Sequence, residues 1–85
     1  MANSYCGLSE LTDGQTGRIL SLDGGGELRQ RLLDLGFVEG ARVTRLYSAP
    51  SGDPAAYGIG EAVIALRACD AAGIAVKCAP STGKR

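Results

Sequence analysis

The 85-residue chain contains no histidine and no tryptophan. Without histidine it lacks both the commonest general base and the commonest transition-metal ligand, which argues against an enzyme and against a dedicated metal centre. Cysteine is scarce as well. Cys6, Cys69 and Cys78 are odd in number and widely spaced, and no CxxC pair exists to form half of a metal cage. That pattern points to free thiols, packed as small apolar side chains in a reducing compartment, rather than to a disulfide framework. The neighbour of Cys69 is Asp70, not the base or cation that a nucleophilic thiolate needs. Net charge is also missing, because nine Lys plus Arg offset nine Asp plus Glu. Nothing in the overall balance draws the chain to a phosphate backbone or an anionic membrane. One Phe and three Tyr offer little stacking surface, so no nucleic-acid partner is expected. There is no apolar run of 18 residues, and residues 1–7 have neither the basic nor the apolar part of a secretory leader. The expectation is a cytoplasmic protein without a cofactor and without catalysis.

What is present is the composition of a folded domain: 45% apolar and 21% charged residues in a length that allows one core. Thirteen glycines cut the chain into short pieces, most of them β-branched or alternating, as in a small all-β domain with tight turns. Residues 8–11 read as a helical turn and 15–22 as a first strand. The Asp-Gly-Gly-Gly run at 23–26 reads as a tight turn, since it has neither a complete GxGxxG nor a Gly-Lys-Ser/Thr to make a phosphate loop. From Glu27 the period changes. Leu28, Leu32 and Leu35 follow the i, i+4, i+7 spacing of one helix stripe, with Glu27 and Arg31 spaced to pair on the flank. Gly36 supplies a left-handed C-terminal residue, which sets Phe37 against Leu32 as in a Schellman cap. Strands are then expected at 41–47, 55–59, 62–67 and 74–78, with a hairpin about Gly60-Glu61 and a helical turn at 69–72. The loop at 48–54 carries two prolines and a glycine and cannot belong to a central strand. These elements describe a mainly β fold, a small, partly closed barrel of about five strands with one helix and short helical turns. One domain is expected over residues 1–78, with 79–85 a frayed tail.

Three stretches carry a resemblance. The run 28–40, Leu-Arg-Gln-Arg-Leu-Leu-Asp-Leu-Gly-Phe-Val-Glu-Gly, is similar to the helix and glycine turn of the ferrous iron transport protein A (FeoA) family. Residues 49–54, Ala-Pro-Ser-Gly-Asp-Pro, resemble that family's proline-bracketed loop. Ile64-Ala-Leu-Arg67, Asp70-Ala71 and Ile74-Ala-Val76 resemble its closing strand, helical turn and final strand. The resemblance implies an SH3-like barrel and a non-enzymatic role in bacterial ferrous iron uptake. It further implies binding to the cytosolic GTPase domain of the ferrous iron transporter, so that the membrane is reached only through that partner. Transition-metal binding is a term attached to the family.

The residues themselves suggest how such a domain would touch a partner. With Leu28 as reference, Leu33 points about 140° from the apolar stripe, beside Arg29. It either packs on the preceding loop or serves as an exposed apolar anchor flanked by a cation. Arg29, Arg31 and Leu33 are therefore candidate partner contacts. So are Pro50, Asp53 and Pro54, because a loop stiffened by proline presents a contact at low entropic cost. Tyr47 and Tyr57 flank that loop. A different adaptor role for the same barrel, a weak transition-metal site and self-association stay open at this stage.

Overall fold

The computed structural model describes residues 4–23 and 26–78. In chain order the elements are β1 (Ser4–Gly7), a 3-10 turn (Leu8–Glu10), β2 (Thr16–Leu22), α1 (Gly26–Leu35), β3 (Arg42–Ser48), β4 (Ala55–Ile59), β5 (Ala62–Leu66), α2 (Ala68–Ala71) and β6 (Ile74–Cys78). All six strands form one antiparallel sheet in the order β1-β6-β2-β3-β4-β5. No pairing joins β1 to β5 among the described residues, so the sheet curls without closing. The architecture is mainly β, with six strands rather than about five.

The core follows from strand alternation. Gly17 and Ile19 of β2 point inward and Arg18 outward; Val43, Tyr57, Ile59, Leu66, Ile74 and Val76 line the same interior from the other strands. Gly17 sits where a side chain would be tightly crowded by the neighbouring strand. A Cβ at this position would lie 3.2 Å from the Lys77 carbonyl oxygen and 3.4 Å from Val76. Leu8, Leu11 and Leu32 complete the core together with Phe37, the single phenylalanine, which is fully buried.

Helix α1 ends as the leucine spacing predicts. Gly36 has φ +110°, the Gly36 amide donates to the Leu33 carbonyl at 3.1 Å, and the Phe37 amide donates to the Leu32 carbonyl at 2.9 Å. These are the two bonds of a Schellman motif, with Leu32 and Phe37 buried behind them. The stripe is narrower than expected: Leu32 is buried and Leu28 half-buried, whereas Leu35 is exposed. Glu27 and Arg31 form no ion pair; the flank is held by Gln30 donating to Asp34 at 3.1 Å.

The cysteine expectation fails for two of the three residues. Cys6 and Cys78 form a disulfide across a sequence separation of 72, with their Cα atoms 6.7 Å apart. The register explains it: Ser4 lies opposite Cys78 and Cys6 opposite Val76, so the two cysteines are diagonal neighbours on adjacent strands. Cys69 is a free thiol, and it is exposed rather than packed as a small apolar side chain. The expected tail at 79–85 lies outside the described residues, as do Gly24 and Gly25 of the expected turn.

Candidate docking site

Two of the candidate contacts lie at α2, a single helical turn: Asp53 is bonded to it and Arg29 lines a cleft beside it. Asp53 is exposed, yet one carboxylate oxygen accepts the Ala68 amide at 2.8 Å and so satisfies the first free N–H of that turn. The loop holding Asp53 is closed on itself. The Gly52 amide donates to the Ala49 carbonyl at 2.7 Å, the Ala49 amide to the Pro54 carbonyl at 3.0 Å, and the Ser51 hydroxyl to the Asp53 carbonyl at 3.0 Å. Pro50 and Pro54 are both exposed on it, next to a cis Asp53–Pro54 bond.

A cleft of about 290 Å³ lies between α2 and α1. Leu22, Leu28, Leu32 and Ile74 give the cleft its apolar lining, and Arg29, Asp23, Cys69 and Asp70 its polar one. The Asp23 amide donates to the Gly73 carbonyl at 2.7 Å, which ties the end of β2 to the turn that follows α2. The Cys69 sulfur lies 4.0 Å from an Asp70 carboxylate oxygen. The 49–54 loop is thus bonded to the short helix, and Arg29, remote in sequence, lines the cleft beside it. Arg31 is exposed and Leu33 half-buried, and neither lines the cleft. Among the described residues no three Cys, Asp or Glu side chains converge on a point that could hold a metal ion.

One central residue escaped the sequence reading. Arg45 projects to the inner side of β3, opposite Tyr57, with only 14% of its side chain exposed. Its guanidinium donates to Asp13 at 2.9 Å and to the carbonyls of Leu11 at 2.7 Å, Ser9 at 3.2 Å and Gly52 at 3.4 Å. It therefore fastens the turn at 8–13, the middle of β3 and the proline loop to each other. Of the two tyrosines beside that loop, Tyr57 is in the core and Tyr47 is exposed. Burial raises the Tyr57 phenol above its ordinary range; the nearby Arg45 opposes this, and Asp53 and Asp13 add to it.

The FeoA domain family model matches residues 6–78. The chain belongs to the FeoA domain family. It is 41% identical, over 70 residues and 82% of its length, to the Fe(2+) transport protein A/Fe(2+) transporter FeoB fusion protein of Porphyromonas gingivalis. It spans only 8% of that relative. The solution structure of a FeoA protein from Chlorobium tepidum is similar at a TM-score of 0.81 and 34% identity, covering 91% of this chain and 73% of the other. The zinc complex of FeoA from Stenotrophomonas maltophilia, a prokaryotic SH3-domain protein, matches at a TM-score of 0.73 and 30% identity, covering 82% of this chain and 87% of its own. The six-stranded sheet described above is thus the SH3-like fold of FeoA proteins. Among the described residues, no helix is long and apolar enough to cross a membrane.

Proposed function

We propose that this FeoA-domain chain is a non-enzymatic accessory of bacterial ferrous iron uptake that binds the cytosolic GTPase region of the ferrous iron transporter and modulates its activity or assembly. The observation that carries the reading is the fusion in Porphyromonas gingivalis, where a FeoA-type segment and a FeoB transporter share one polypeptide. A covalent link keeps two modules at high effective concentration, which is useful when the two must meet. The role places the chain on the cytoplasmic face of the membrane, held there by its partner.

The contact we assign runs over α2. Arg29 and the apolar lining of the cleft lie beside it, and Pro50 and Pro54 lie on the loop that Asp53 bonds to its first residue. Asp53 contributes by bracing the loop against α2, and Leu33 and Arg31 extend the surface along α1. The arrangement suits a partner that inserts an apolar side chain between the helices and meets a rigid loop beyond them.

The test is a titration of the fluorescently labelled chain with the purified GTPase domain of the same organism's transporter, with and without guanine nucleotide. Saturable binding, weakened about tenfold by Arg29→Ala and less by Leu33→Ala, is the expected result. Failure to bind both that domain and the full-length transporter in detergent would discard the transporter reading.

A further inference from the structure

The zero net charge conceals a strict segregation. None of the six strands contains an aspartate or glutamate; all nine carboxylate side chains lie in helices, turns and loops. The strands instead carry Arg18, Arg42, Arg45 and Lys77. Arg45 faces inward and is neutralised by Asp13. The other three are exposed and stand in one row across the outer face, with Lys77 directly opposite Arg18 and Arg18 directly opposite Arg42. No carboxylate pairs with any of them among the described residues. Arg18 is held in place by donating to the Gly40 carbonyl at 3.1 Å. Like charges directly opposite on adjacent strands are destabilising, so nothing within the fold accounts for the row.

We infer that this row is a docking site for an acidic helix of a protein partner, a surface separate from the cleft at α2 and independent of which protein that partner is. Neighbouring strands are about 4.8 Å apart, so the three cations repeat at that spacing over about 10 Å. Carboxylates three or four residues apart on one face of a helix repeat at about 5–6 Å, which sets one acid over each cation when the helix crosses the strands. The row also leads into a shallow depression of about 550 Å³, lined by Arg42, Thr44, Leu46, Gly58 and Gly60. Leu46 covers Gly58 so closely that a Cβ there would lie 3.2 Å from it. An apolar side chain on the same helix can seat against Leu46. A site that joins charge with an apolar seat suits a protein better than a nucleic acid, which would need a longer basic track and more stacking surface than Tyr5, the exposed aromatic opposite Lys77 on β1. It also suits a protein better than a membrane, because a surface for anionic lipid gathers about four to eight cations, more than the three in this row, and the flanking Thr16 and Thr44 are spent on each other at 2.8 Å.

The test is an NMR amide titration of the full chain with an alanine-based helical peptide of about 20 residues. One version carries three glutamates at successive i, i+4 positions, and a second carries glutamines there. The expected result is saturable shifts centred on Arg18, Arg42 and Lys77 with the glutamate peptide, fading as salt is added. Binding becomes about tenfold weaker in Arg18→Gln/Arg42→Gln and stays the same in Arg67→Gln, an exposed cation off the row. If the double variant fails to reproduce the parent spectrum away from the row, Lys77→Gln replaces it. Equal binding of the glutamine peptide, or shifts centred elsewhere, would overturn the proposal. So would tighter binding of phosphatidylcholine/phosphatidylglycerol vesicles or of a single-stranded 20-nucleotide DNA, each assigning the row to another partner.

Discussion

Arg45 gathers into one side chain bonds to two segments outside β3, the turn at 8–13 and the proline loop. Its bonds to Asp13, Ser9, Leu11 and Gly52 depend on a planar fork, and an ammonium is a point charge that cannot reach them together. Arg45→Lys should therefore lose about 2 kcal/mol of stability in urea unfolding, close to the loss in Arg45→Ala. The residue was legible only in part: it shares the inward parity of Val43 along β3, but parity does not reveal that a carboxylate and three carbonyls wait inside. Tyr57 gives a second expectation at this scale. Its phenol is raised in the folded state above the ordinary value of 10.0, so the fold favours the neutral form. That contribution is complete below about pH 10 and is lost as pH rises through the raised value. Denaturation midpoints should fall above pH 10 in the parent, and this loss should shrink in Tyr57→Phe.

Elements were legible in proportion to how local their causes are. Helix α1 and its ending could be read because leucine spacing, Gly36 and Phe37 lie within one stretch of chain, and the cap bonds formed as that spacing requires. Strand β1 could not, because four residues including a serine and a glycine carry no strand pattern and are held in place by β6 near the far end of the described chain. Missing β1 hid the Cys6–Cys78 bond too, since only the register of those two strands makes the cysteines neighbours. The proline loop was recognised, but its bond from Asp53 to α2 joins residues 15 apart and follows from tertiary placement alone. The disulfide supports a testable statement about β1, an edge strand paired only with β6. Opening a cross-link of this span costs about 2–4 kcal/mol, so reduction should lower Tm on the order of 10 °C. Amide exchange should rise first in β1. A reducing cytosol works against the bond, and there β1 would rest on its ladder alone.

At the scale of the whole molecule, sequence counting and structure part company over charge. Equal numbers of acids and bases gave the chain no overall pull toward a polyanion, but the structure keeps every carboxylate in helices, turns and loops and places four cations, Arg18, Arg42, Arg45 and Lys77, on strands. Counting could not show this because it needs the outward parity of Arg18, Arg42 and Lys77 and the register that aligns them. The arrangement has a measurable cost in the free protein. Arg18 stands between two cations at one inter-strand spacing each, so removing either neighbour relieves repulsion without touching the core. Arg42→Thr also places a residue of higher strand preference in an exposed strand position. The variant should be more stable than the parent by about 0.5 kcal/mol, which for a domain of this size raises Tm by about 2–4 °C at low ionic strength. The gain should shrink toward the part due to strand preference as salt approaches 1 M, where the screening length falls to about 3 Å and the cations no longer sense one another. A variant that gains stability while losing affinity for an acidic helix would show that the row is kept for binding at the expense of the fold. If Arg42→Thr were instead less stable at every salt concentration, the guanidinium would be holding the sheet together, and its alignment with Arg18 and Lys77 would belong to the architecture.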